Sequence, residues 1–230
     1  MPGAPGGRHT PPMDWSAKRA WAAAEHARRS TGTPVERERE DFRLAAIAGA
    51  SWAEGLAALM LGERDDAARL LRRAADEYDE SWAAAPPASW GRPIAAMRCR
   101  LMAGNDAGLE RDATATLWAD SDAAPGPIAA YATALALLAL GRDAEALPVA
   151  LALQERDDFV PSVADGLSAL AAGDATAYAT AAAAVIDSFE ARDAFLEDTP
   201  VADTVLVLDA LAAPRGLSAP HAPTALLPNG

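Results

Sequence analysis

An all-α fold is what this sequence predicts, an array of antiparallel helical hairpins with a C-terminal capping helix. Three observations carry that prediction. Apolar residues recur at spacings of three and four along most of the 230 residues, so successive segments each present one apolar stripe. A turn of constant grammar, an apolar helix end, then Gly, then polar residues including Asp, then Ala, occurs at Gly62, Gly104, Gly141 and Gly173. These glycines stand 42, 37 and 32 residues apart, a spacing suited to diverged repeats, and three or more stacked units are what a solenoid needs to bury its faces. Strand signals are nearly absent, and the β-branched run at Thr204–Val207 lies inside a helical pattern.

Met1–Pro12 mixes Gly, Pro, His and Thr without periodicity and is expected to be disordered, which leaves Met13 as an alternative start. Residues 13–216 are expected to form one helical-repeat domain, and 217–230, rich in Pro and Ala, a tail on the surface or loose in solvent. Asp14–Arg29 reads as a first helix with a basic end, the sign the helix dipole prefers there. After a break at Thr31–Pro34 a long helix starts near Val35, its charged run Glu36–Asp41 forming a solvated first turn or two and its apolar part running from Leu44 to Leu61.

Ser51–Ala85 is the clearest unit. Trp52, Leu56, Leu59 and Met60 form one stripe, and Gly55 leaves a gap in it. Gly in a helix costs about 1 kcal/mol relative to Ala, so the gap implies that another helix approaches closely. Gly62 ends the helix, Asp65 and Asp66 start the next, and Ala67, Leu70, Leu71, Ala74, Ala75 and Tyr78 share one face of it. With Gly55, Gly62, Ala67, Leu71 and Ala74 at these spacings, and Trp52 one position from an aromatic slot, the unit resembles a tetratricopeptide repeat. The closing Pro of that pattern is missing, since Asp79 stands in its place and Pro86 and Pro87 come later. What the resemblance implies is a tetratricopeptide-like α-solenoid that binds another protein or an extended peptide along its concave surface.

Downstream, Pro86, Pro87 and Pro93 bracket a loop that contains Trp90 and Gly91. Three further hairpins follow, Ile94–Ala103 with Ala107–Ala119, Ile128–Leu140 with Ala144–Glu155, and Phe159–Ala171 with Ala175–Phe195. Ala123–Pro127 separates the first two, and Pro148 lies inside a helix that it is expected to kink. Asp203–Ala213, DTVLVLDALAA, is the expected cap over the last hydrophobic face.

Composition removes several function classes. A net charge of −13, with Lys18 the only Lys, disfavours nucleic acid, whose binding needs clustered cations. The single Cys99 forms no intrachain disulfide, and with no membrane-spanning apolar run and no secretory signal the chain reads as cytoplasmic, with no membrane partner. His9, His26 and His221 stand far apart and without a second Cys, so zinc is not expected; no phosphate-cradling loop, nucleophile elbow or metalloprotease pattern is present. No catalytic residue, cofactor or metal site is therefore assigned. Arg98 and Arg100 flank Cys99, but sequence neighbours in a helix face different ways, and a buried structural thiol is the simpler expectation.

Two groups remain as candidate sites. Every Trp falls at or before Trp118, and Trp82, Trp90, Arg92, Arg98 and Arg100 cluster around the central hairpin, an aromatic and Arg mixture typical of binding hot spots. The bland alternative is inter-helix packing and local ion pairs. The second group is Glu190, Asp193, Glu197, Asp198 and Asp203, three of which would line one side of a continuing helix near its C-terminus, where carboxylates oppose the dipole. Arg192 and Arg215 are the local cations, so an ion-pair network holding the last helix is expected there, with a solvated acidic face, a divalent cation or a basic partner as alternatives. A cytoplasmic adaptor or scaffold that binds a protein or peptide is the leading function. An antitoxin-like immunity protein facing a basic partner and a helical enzyme with a carboxylate metal site are the alternatives.

Overall fold

A computed structural model describes residues 13–32, 39–104, 107–119 and 126–229, and they form ten α-helices with no strand among them. In chain order these are α1 (Trp15–Thr31), α2 (Glu40–Met60), α3 (Arg64–Ala84), α4 (Gly91–Met102), α5 (Ala107–Ala119), α6 (Pro127–Ala139), α7 (Asp143–Gln154), α8 (Pro161–Ala172), α9 (Ala175–Glu190) and α10 (Asp203–Ala212). The expected disordered arm, most of the charged run before Glu40, Asn105, Asp106 and the break at 120–125 lie outside the described residues.

Local rules account for most helix ends. Asp14 caps α1 by accepting the Ala17 amide at 3.0 Å. All four turn glycines have positive φ, between +68° and +92°, the left-handed conformation that closes a helix and that a side chain resists. α4 begins at Gly91 and not at Ile94, because Pro93 sits in its first turn, where a missing N–H costs nothing. Pro148 lies inside α7 without ending it.

Two expectations fail for tertiary reasons. Asp41 is buried and not part of a solvated turn: Arg39 pairs with it at 2.9 Å, Arg92 approaches at 3.6 Å, and its backbone oxygen accepts the Ser81 hydroxyl at 2.6 Å. α9 stops at Glu190, five residues short of Phe195. A longer helix would set Glu190 and Asp193 against its own dipole, and the chain instead turns away so that Phe195 packs beside Phe189, ring centroids 6.3 Å apart.

Each helix from α1 to α9 packs on the next in sequence, and α4, α6 and α8 also touch one another in that order. α10 packs against α8, α9 and α4, so α4, α6, α8 and α10 close a ring of contacts. It does more than cap the last pair. Val205, Val207, Leu208, Leu211 and Ala212 are buried on opposite sides of it, as expected of a helix that is apolar all round. The main core cluster runs from α4 to α10, and a second joins α1–α4 with Val201, just before α10.

Small residues set the close contacts. A Cβ added at Gly55 would lie 2.8 Å from Leu71 Cγ and 3.3 Å from the Leu71 amide nitrogen, and one at Gly166 would meet Leu208 at 3.0 Å. The tail is held down: Leu226 O accepts the Ala202 amide at 2.9 Å, Thr224 donates to Glu190 at 2.8 Å, and His221 meets Asp209 at 2.7 Å.

Gly55→Leu is expected to cost roughly 1–3 kcal/mol in a denaturant melt, because α3 offers a backbone atom and no room. Gly91→Ala, where a Cβ meets nothing within 4 Å, is expected to be neutral or to stabilise by up to about 1 kcal/mol.

Candidate functional site

One cleft gathers much of the aromatic content of the chain. It has a volume of about 290 Å³ and opens where the N-terminal turns of α6, α8 and α10 meet the segment that follows α9. Trp52 of α2, Tyr131 of α6, Phe159, Phe189 and Phe195 all line it, three of the four Phe in the sequence among them. Tyr131 and Phe159 pack with centroids 5.6 Å apart. At its mouth Ile128, Val160 and Leu196 stand exposed by 49%, 45% and 65%, against the rule that large apolar side chains go inside.

Leu196 is held there by strained backbone. Glu197 and Asp198, which follow it, have φ of +49° and +47°, a conformation that costs non-glycine residues about 1–2 kcal/mol each. Tertiary contacts to α1 offset that cost. Arg29 clasps the Glu197 carboxylate with two hydrogen bonds, of 2.8 and 3.0 Å, and the Lys18 ammonium donates to the Glu197 carbonyl. Gly49 of α2 makes room for the tip, since a Cβ there would lie 3.1 Å from Glu197 Oε1.

The polar groups of the cleft are few. Arg98 Nη2 pairs with the Asp203 carboxylate at 2.6 Å and donates to Thr204 Oγ1 at 3.2 Å. Its Nε is buried with no partner, and no other buried side-chain nitrogen or oxygen among the described residues is in that state. Arg192 lies over the Phe189 ring, 3.5 Å from its centroid, at the rim.

The residues singled out from the sequence scatter. Of the Trp and Arg group only Arg98 reaches the cleft. Trp90 is buried in the core, and Arg92 donates to Ser81 Oγ at 3.2 Å and faces Phe42. Trp82 lines a separate shallow hollow with Asp76, Asp79, Arg111 and Asp112. Buried Arg100 binds the same three aspartates. The acidic group disperses as well: Glu190 holds the tail, Asp193 and Asp198 are exposed, Glu197 goes to α1, and Asp203 pairs with Arg98. The expected network through Arg192 and Arg215 is not formed, because Arg215 binds Asp143 and the carbonyls of Leu138 and Leu211. Among the described residues no three carboxylates, histidines or cysteines are placed to hold a metal.

A Ser, a Glu and a His do meet, at Ser51, Glu77 and His26. The carboxylate stands between the other two, taking the Ser51 hydroxyl at 2.5 Å with His26 on its other oxygen at 2.7 Å, and Ser51 is fully buried. The serine is therefore not activated by the imidazole as a nucleophile must be. Burial pushes the Cys99 thiol far up, which keeps it inert.

No protein-family model, curated protein or solved structure matches this chain. Among the cleft residues that sequence reasoning passed over are Ile128, Tyr131, Phe159, Val160, Phe189, Phe195 and Leu196. One signal was present, since Phe159 and Val160 stand together before Pro161 in an otherwise charged connection.

Glu197→Gln is expected to lower stability by about 1–2 kcal/mol, as it weakens a partly buried clasp and leaves the strain in place; thermal melts read this directly. The hollow beside Trp82 yields a pH effect. Burial, and then the neighbouring Asp112, raise the Asp79 carboxyl to about 6, Arg100 and Arg111 being too few for three aspartates. Its unfolded value is about 3.9, so the folded state binds more protons between these limits, and stability rises as pH falls through that window. Relative to Asp79→Asn, the parent is expected to gain about 1 kcal/mol, or roughly 2–4 °C in Tm, between pH 7.5 and pH 5.

Proposed function

We propose that this chain is a non-enzymatic interaction protein of the helical-repeat type, and that its partner docks on the mouth of the cleft between α6, α8 and the segment after α9. One observation carries the proposal: Ile128, Val160 and Leu196, three exposed large apolar side chains from three separate parts of the chain, ring one opening. Clustered apolar exposure of this kind marks docking sites. The left-handed backbone at Glu197 and Asp198 strengthens the case, for strain that keeps an apolar side chain in water is best understood as serving a contact.

Helical-hairpin architecture and the tetratricopeptide-like reading are part of this proposal. They are supported by the packing of each helix on the next and by the shared glycine turns. A peptide lying along the inner layer is disfavoured, because α10 packs against α4 and α8 there. The partner instead meets the rim, where aromatic and Arg side chains supply the usual anchors of an interface.

A benzophenone-bearing side chain placed at Leu196 or Ile128 is expected to form one discrete photo-adduct in the native cells, and none from exposed Thr180 on α9. Leu196→Asp is expected to abolish that adduct when the probe is at Ile128, while changing stability by less than about 0.5 kcal/mol. Absence of any adduct from both rim positions would rule the docking site out.

A further inference from the structure

Beneath that rim the cleft has the makings of a small-molecule site, and its charge is opposite to that of the molecule. The chain carries a net −13, yet the lining side chains present two guanidinium groups, Arg98 and Arg192, against the single carboxylate of Asp203. Asp203 pairs with Arg98 Nη2, and Arg98 Nε is buried without an acceptor. Arg192 makes no ion pair with any described residue and rests on Phe189. The N-terminal turns of α6, α8 and α10, the positive ends of three helix dipoles, face the same space through Ile128, Val163 and Thr204. A monoanion supplies the one negative charge this arrangement lacks.

The remaining surface decides what that anion carries. Five aromatic side chains enclose about 290 Å³, the lower end of the range of about 300–1,000 Å³ seen for small-molecule pockets. Two lining hydroxyls are already engaged: Thr204 Oγ1 accepts from Arg98 at 3.2 Å, and Thr199 Oγ1 donates to the Glu197 carbonyl at 3.0 Å. A ligand with one carboxylate and an apolar or aromatic body fits this lining.

We propose that this cleft binds a small monocarboxylic acid with an aromatic or aliphatic body, its carboxylate held by Arg192 and Arg98 and its body packed among Tyr131, Phe159 and Phe195. The inference goes beyond the docking reading and does not need a partner protein. Carboxylate recognition by guanidinium is charge-assisted and geometrically selective, and dispersion with the rings supplies the rest.

The test uses the full chain with phenylacetate, 4-phenylbutyrate and octanoate as probes, each beside its primary amide. Thermal melts and quenching of Trp52 fluorescence give the affinities. At least one acid is expected to raise Tm in a saturable way and to bind about tenfold more tightly than its amide. Arg192→Gln, an exposed change that leaves the fold alone, is expected to remove that tenfold preference, and Leu196→Ala to leave it in place. Equal binding of acids and amides would overturn the carboxylate assignment, and so would an acid whose preference survives Arg192→Gln. Failure of all three acids to bind would overturn the site itself. The photo-adduct experiment at Leu196 and Ile128 is read without any added acid, so these failures are distinct from failure of the docking reading.

Discussion

A helix that is apolar on every side is stable only inside something, and α10 is such a helix. Asp203 and Asp209 are its only charged residues, one bound to Arg98 and the other to Tyr178 and His221. Burying its Val and Leu side chains contributes on the order of 1.5–3 kcal/mol for each, a driving force larger than any single ion pair in the molecule. The need to cover it accounts for the packing of α4 and α8 against it, for Gly166 being without a side chain opposite Leu208, and for a segment between α9 and α10 that crosses by way of α1.

That crossing segment is where stability and function meet. It leaves α9 early, carries Phe195 and Leu196 across the cleft, and is pinned at its far point by Arg29 and Lys18 of α1. The backbone at Glu197 and Asp198 is unfavourable in isolation, and it persists because the clasp, the space at Gly49 and the burial of Val201 together over-determine it. The cleft is the space left between this segment and the ends of the helices it bridges, so its shape depends on contacts made some distance away, in α1 and α2.

Helix positions were legible in the sequence because their causes are local. Gly62, Gly104, Gly141 and Gly173 end helices by their own conformational freedom, and the gap at Gly55 is met by Leu71 as the spacing required. What failed to be legible is long-range. Glu197 finds Arg29 across 168 positions, and nothing in either neighbourhood names the other. The acidic run therefore looked like a single face when its members serve different helices, and Asp41 looked solvated because Ser81 and Arg92 were out of sight. α10 was open to a better reading. A terminal cap needs a polar outer side, and DTVLVLDALAA has too little of one. Arg98 and Asp203 were each noticed for separate reasons, and only the fold joins them.

The place of α10 in chain order has a consequence for how the molecule comes into being. A stack of repeats in which each unit touches only its neighbours can assemble progressively as it leaves the ribosome, and it frays unit by unit. Here the filler of the interior emerges after the helices it supports, and so does the tip that ties back to α1. The nascent chain carries α4, α6 and α8 with their inner faces bare until α10 arrives, a period in which exposed apolar surface invites aggregation or a chaperone. Completion is then expected to be a late, long-range closing step, and unfolding to be more cooperative than the unit-by-unit fraying of an open stack.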